Sequence, residues 1–154
     1  MFNTAPLAAS VRSRLIVTDE LSRHVELMSL PIFLVEDDPK LRETIREAIY
    51  SICDAEVIGT AETEAQAIAW LNDHHGTWRL VVLDLFLKAG TGFGVLEQLT
   101  PRTAREQVIV LTNSATQENR NRCLALGALA VYDKTSELEE FLDHCLRHHQ
   151  QRQS

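Results

Sequence analysis

The sequence has little of what marks secreted, membrane-spanning or nucleic-acid-binding proteins. It holds only three cysteines in 154 residues, Cys53, Cys123 and Cys145, and no CxxC pair. An odd, widely spaced set excludes a disulfide framework and a zinc knuckle. Each of the three falls in a predicted helix, where a buried free thiol is expected, and this fits a reducing cytoplasm. No stretch approaches the roughly 20 apolar residues needed to cross a bilayer. Residues 1–10 show no basic segment followed by an apolar run, so no secretory leader is read. Basic residues are also in deficit: 15 Lys and Arg stand against 22 Asp and Glu, a net charge of −7. Non-specific nucleic-acid binding needs a basic surface, and this balance argues against one, although Arg120 and Arg122 stand close together as a local basic pair. The expectation is a soluble cytoplasmic protein with no membrane and no nucleic acid among its partners. There are no internal repeats.

What is present is an ordinary globular composition, 45% hydrophobic and 24% charged, long enough for one domain with a real core. Five short apolar runs read as strands: Pro31–Val35, Glu56–Thr60, Leu80–Leu83, Gln107–Leu111 and Ala128–Tyr132. The second is the most polar, as an edge strand would be. Segments of helical period lie between them. Asp38 is a natural N-cap before Pro39, and Leu41, Ile45, Ala48, Ile49 and Ile52 share one face. Thr63-x-x-Gln66, Ser114-x-x-Gln117 and Ser136-x-x-Glu139 read as capping boxes for three further helices. The first of these should bury Ala65, Ile68, Ala69 and Leu71 and stop near Gly76. The last should bury Leu138, Phe141, Leu142, Cys145 and Leu146. Between them a short helix carries Phe93, Leu96 and Leu99. Strands alternating with helices predict a doubly wound α/β sheet with right-handed crossovers. The expected division is an N-terminal extension over 1–29, partly disordered or a short helix from Thr18, then a domain over 30–149 and a polar tail over 150–154.

In such a sheet, ligands bind at the carboxyl ends of the strands. The sequence places Glu36 and Asp37 there after the first strand, Asp84 after the third, Thr112 after the fourth and Lys134 after the fifth. Three carboxylates at one edge repel one another unless a cation joins them. Mg²⁺ takes oxygen ligands and commonly uses one or two carboxylates plus a phosphate oxygen. Asp37 and Asp84 are read as direct ligands, with Glu36 acting through water. A carboxylate can also be the nucleophile toward a phosphoryl group. Lys134 suits a phosphoryl oxygen as a point cation, and the Thr112 hydroxyl can hydrogen-bond another.

In these residues and their order the chain resembles the receiver domain of bacterial two-component response regulators, over about residues 31–149. The resemblance implies a flavodoxin-like five-stranded parallel sheet in the order 2-1-3-4-5. It implies that Asp84 accepts a phosphoryl group from a histidine kinase or histidine phosphotransfer protein, with Mg²⁺ or another divalent cation. The expectation is a stand-alone, chemotaxis-regulator-like protein that catalyses only its own phosphorylation and dephosphorylation. It would act on an unidentified downstream protein or relay the phosphoryl, with homodimerisation left open. The alternative is a pseudo-receiver that works without phosphate.

The chain departs from the family pattern at several points. Thr135 follows the lysine where the family usually has Pro. Val131 stands where an aromatic is common, with Tyr132 next, so Tyr132 is read as a packing residue. Phe86, two after Asp84, puts an apolar ring where polar groups are common, which suggests a long-lived phosphoryl state. Phe86 also takes the place of the second acid that a haloacid-dehalogenase-like phosphatase would need. Lys88 is read as a solvated loop charge. His144 and His148 have a metal-capable spacing but no third ligand. Gly90-Thr-Gly92-Phe-Gly94 is not GxGxxG and is read as turn geometry.

Overall fold

A computed structural model describes residues 29–99 and 105–153. The expectations for the extension before Ser29, including the helix from Thr18, lie outside the described residues. The strands are β1 (Leu30–Val35), β2 (Ala55–Ala61), β3 (Leu80–Leu83), β4 (Gln107–Thr112) and β5 (Ala130–Asp133). The helices are α1 (Pro39–Cys53), α2 (Glu64–Asp73), α3 (Gly92–Gln98), α4 (Gln117–Ala125) and α5 (Leu138–Gln153). The last runs on through residues that read as a polar tail. The strands form one parallel sheet in the order β2-β1-β3-β4-β5. This is the flavodoxin-like arrangement.

The three inner strands, β1, β3 and β4, are apolar at successive positions because both faces of the sheet are covered there. On one side Phe33, Val35, Val81, Leu83, Val108 and Val110 meet Ala67 and Leu71 of α2, Phe93 and Leu96 of α3 and Cys123 of α4. On the other, Leu30, Ile32, Leu34, Leu80, Val82, Ile109 and Leu111 meet Ile45, Ile49 and Cys53 of α1 and Phe141, Leu142 and Cys145 of α5. All three cysteines are buried free thiols, as expected. The Cys53 thiol donates to the Leu142 carbonyl at 3.3 Å, tying α1 to α5.

Several local expectations are corrected. Ile52 is 53% exposed, because Cys53 takes the inward position that follows Ile45 and Ile49 at i+4 spacing. In α2, Ala67 and Leu71 turn inward, whereas Ala65 and Ala69 are exposed. The Trp70 indole lies flat on Phe33, centroids 4.0 Å apart, and His74 stacks on it at 4.0 Å. A Cβ on Gly59 would run into that indole. Thr63 caps α2 by accepting from the Gln66 N–H. The α4 cap is Thr116, accepting from the Asn119 N–H, rather than Ser114. Ahead of α5 it is Asp133 whose carboxylate accepts the N–H groups of Thr135 and Ser136.

Because every strand is parallel, all five carboxyl ends open on one edge. Loop geometry then fixes the residue after β3. Gly90 has φ +79°, a turn conformation that glycine adopts without strain. Gly92 donates to the Leu85 carbonyl at 2.7 Å and lies so close to the Asp84 carbonyl that a Cβ there would collide with it. The glycines of this loop thus serve turn geometry and close approach.

Candidate functional site

The sheet edge brings together all five residues singled out from the sequence. Glu36, Asp37, Asp84, Thr112 and Lys134 line one open cleft of about 270 Å³, with Phe86, Asn113 and Ser114 on its walls. A larger groove of about 460 Å³ lies between α1 and β2, but its lining gathers no comparable set of buried charges. The chemistry, not the volume, marks the cleft as the site.

Three polar side chains are buried here where apolar ones would otherwise be expected: Glu36, Asp84 and Thr112. Each has partners that offset its desolvation. Asp84 Oδ1 accepts the Leu85 N–H at 2.7 Å, and its Oδ2 accepts Lys134 Nζ at 2.7 Å. The same ammonium lies 2.5 Å from Glu36 Oε1, while Glu36 Oε2 accepts the Asp38 N–H at 3.2 Å. Thr112 Oγ1 accepts the Ser114 N–H at 3.2 Å, and the Thr112 carbonyl accepts the Lys134 N–H at 3.1 Å. Lys134 therefore reaches from β5 across the end of β4 to bridge the loops after β1 and β3.

The titration directions follow from this arrangement. Burial pushes the Glu36 carboxyl above its ordinary value, and Lys134 only partly pulls it back. Burial would lower the Lys134 pKa, but hydrogen bonds and charge from Asp84 and Glu36 outweigh it and the pKa rises. Lys134 is thus held as a cation by an acidic surround that one ammonium does not neutralise.

One oxygen each from Glu36, Asp37 and Asp84 lie within 4.8 Å of one another. An all-oxygen, anionic donor set in a solvent-open cleft fits a hard cation such as Mg²⁺, which keeps several waters. It is the only such group of potential metal ligands among the described residues. His144 has a different partner: its Nδ1 pairs with the Tyr132 hydroxyl at 2.6 Å, and Tyr132 packs edge-on against Phe141 at 6.2 Å. Tyr132 is therefore a packing residue with a hydrogen bond that the sequence did not disclose. Lys88 is exposed on its loop. Phe86 is 51% exposed and stands edge-on to Phe93, whose ring also carries the Arg122 guanidinium 3.9 Å from its centroid.

A flavodoxin-like sheet with an acidic pocket bridged by one lysine is the architecture of a signalling domain. The chain belongs to the response regulator receiver domain family, whose model matches residues 32–145. It is 26% identical over 110 residues to the transcriptional regulatory protein MalR of Bacillus subtilis, covering 71% of this chain and 46% of MalR. It thus spans about half the length of the curated relatives it matches. Among solved structures it resembles a DNA-binding response regulator of the LuxR family from Staphylococcus aureus, with a TM-score of 0.69 and 18% identity, covering 78% of this chain and 98% of that one. It also resembles a chain of the CheX–CheY–BeF3–Mg²⁺ complex from Borrelia burgdorferi, with a TM-score of 0.69 and 18% identity, covering 77% of this chain and 87% of that one. At these identities the structural likeness speaks for the fold. Among the described residues no helix is long and apolar enough to cross a membrane.

Proposed function

We propose that this chain is a phosphoacceptor: Asp84 takes a phosphoryl group from a phosphohistidine on a histidine kinase or histidine phosphotransfer protein. The observation that carries this reading is the buried Asp84 carboxylate, fixed through one oxygen by Leu85 N–H and through the other by Lys134, in a cleft open to solvent. An Asp84 oxygen forms a bond to phosphorus as the bond from phosphorus to the donor's imidazole nitrogen breaks. The electron pair leaves with that nitrogen, and the product is an acyl phosphate. Lys134 stays beside the reacting carboxylate, where its charge offsets that of the phosphoryl oxygens. The Thr112 hydroxyl hydrogen is directed to one of those oxygens. Glu36, Asp37 and Asp84 would hold Mg²⁺, which when bound supplies positive charge shared between carboxylate and phosphoryl oxygens. Most of what phosphoryl transfer requires is positioning and electrostatics of this kind.

The new dianion biases the position of the loop after Thr112, and a protein partner reads the face formed by β4, α4 and β5, or the phosphoryl is relayed onward. The test is intact-mass analysis after incubation with Mg²⁺ and acetyl phosphate, beside Asp84→Asn. One phosphoryl adduct on the parent, absent from the variant and absent in EDTA, is expected. A folded parent that takes no phosphoryl from acetyl phosphate or from any histidine kinase tried would leave a phosphate-independent interaction module in its place.

A further inference from the structure

Arg120 lies on α4, outside the cleft, yet its guanidinium reaches three separate segments. Nε donates to the Ala115 carbonyl at 3.0 Å, Nη1 to the Val131 carbonyl at 2.8 Å and Nη2 to Glu137 Oε1 at 2.5 Å. Ala115 belongs to the loop that follows Thr112. Val131 lies in β5, three residues ahead of Lys134. Glu137 Oε1 also accepts the N–H of Asp133, the neighbour of Lys134, at 3.0 Å. The Lys134 N–H already donates to the Thr112 carbonyl at 3.1 Å, and the Arg120 cation adds a second tie beside it, from the Ala115 carbonyl beyond Thr112 to Val131 and Glu137 on either side of Lys134. A planar fork of donors can satisfy three acceptors at once, which a single ammonium cannot do at these positions.

The Arg120 and Glu137 side chains are 28% and 32% exposed. A pair this open to water adds little to global stability. What it supplies is geometry. The Glu137 carboxyl is held below its ordinary value, chiefly by the Arg120 hydrogen bond. Val131 itself is buried in the core against β4, so its side chain has no freedom to carry a movement. A weaker, neutral tie runs nearby, from the Thr135 hydroxyl to Asn113 Oδ1 at 3.2 Å, exposed to solvent.

We infer that Arg120 is a positioning residue that locks the Thr112 loop and the Lys134 loop into one unit, so that a displacement at Asp84 reaches α4 through its guanidinium. This rests on the phosphoacceptor role proposed for Asp84, and the test separates the two. The first measurement needs no phosphodonor: amide hydrogen exchange in the parent and in Arg120→Met. The Ser114 and Asp133 amides should both exchange about five-fold faster in the variant, while those of β1 and β3 are unchanged, as a local opening requires. Arg120→Lys serves as a second variant if the first does not fold, with both amides again accelerated. The second measurement is the rate of phosphoryl uptake from acetyl phosphate. Arg120→Met should slow it about five-fold in the parent but less than about two-fold in a Thr112→Ala background, because groups acting through one another are not additive. A merely structural loss would multiply in both backgrounds. Faster exchange at one loop or neither, or a full slowdown in the Thr112→Ala background, would overturn the inference. A parent that takes no phosphoryl sinks the Asp84 reading, while the exchange result still decides whether Arg120 joins the loops.

Discussion

Replacing Lys134 with Met removes the ammonium but keeps most of the apolar stem. The ammonium lies 2.7 Å from Asp84 Oδ2 and 2.5 Å from Glu36 Oε1, with side-chain exposures of 8% for Lys134, 8% for Asp84 and 2% for Glu36. Breaking a buried pair by deleting one partner costs about 3–5 kcal/mol, because the remaining charge is left desolvated and unpaired. Here two carboxylates are left, with Asp37 close by, so the upper half of that range is expected near neutral pH. The loss is capped by protonation. Burial already raises the Glu36 pKa, so this carboxyl takes up a proton at a higher pH than an ordinary glutamate. The penalty should therefore shrink in acid. In the parent, the raised Lys134 pKa means that its contribution is complete below the unfolded lysine value of about 10.4 and is lost as pH rises through the folded one. The assay is urea unfolding followed by circular dichroism at pH 7.5, in EDTA and then in Mg²⁺. A ligand at about 100 times its Kd stabilises by about 2.7 kcal/mol, and Lys134→Met should gain more from Mg²⁺ than the parent because no ammonium competes for the same oxygens. A loss below about 1 kcal/mol in EDTA would mean that the bridge behaves like an exposed one. Equal gains from Mg²⁺ in both proteins would refute the assignment of these carboxylates to the cation.

Two further outcomes are expected. Phe86 lines the cleft and leaves half its surface in water, so its ring can cover an acyl phosphate at Asp84. Phe86→Asn should shorten the phosphoryl half-life roughly tenfold, equivalent to about 1.4 kcal/mol on the barrier; a half-life of seconds that does not change would refute the shielding. The second concerns His144, whose pKa is lowered by burial and by Arg147, against the opposing charge of Asp143. A depressed folded pKa gives stability that is present above the unfolded value of about 6.5 and is lost as pH falls through the folded one. In the neutral tautomer that carries its proton on Nε2, Nδ1 accepts from the Tyr132 hydroxyl; protonation removes that acceptor. The urea midpoint should fall more steeply from pH 7.5 to 5 in the parent than in His144→Gln, and parallel slopes would count against this.

The sequence discloses the sheet and the convergence of five polar residues at one edge because both follow from short-range pattern. Apolar runs such as Leu80–Leu83 and Gln107–Leu111 end on the polar groups that a parallel sheet presents at one edge. What it conceals depends on three-dimensional competition. Ser114 has the right spacing for a helix cap, but its N–H is bound by Thr112 Oγ1 and its carbonyl by Asn119, and Thr116 caps instead. Ile52 and Cys53 are equally good inward positions until α5 arrives beside α1. Nothing in the pattern around Arg120 discloses its role, because two of its three acceptors, Val131 and Glu137, lie 11 and 17 residues away. Thr135 reads only as a missing proline; in the folded chain its N–H, which proline would lack, donates to Asp133 at 2.8 Å.

The lysine bridge also constrains the order in which the chain can fold. Lys134 and Asp84 are separated by 50 residues, and Glu36 directly follows the first strand. Pairing of β1 with β3 draws the carboxylates together, and only the segment after β5 supplies their counter-charge. A truncated chain that stops short of β5 thus carries an unrelieved repulsion at the carboxyl ends of β1 and β3, and non-local pairing is already slow to nucleate. Docking of the last strand relieves that repulsion, so the segment from Ala130 onward makes the preceding strands cohesive. Divalent cations present during synthesis would screen the same repulsion and allow the central strands to pair earlier.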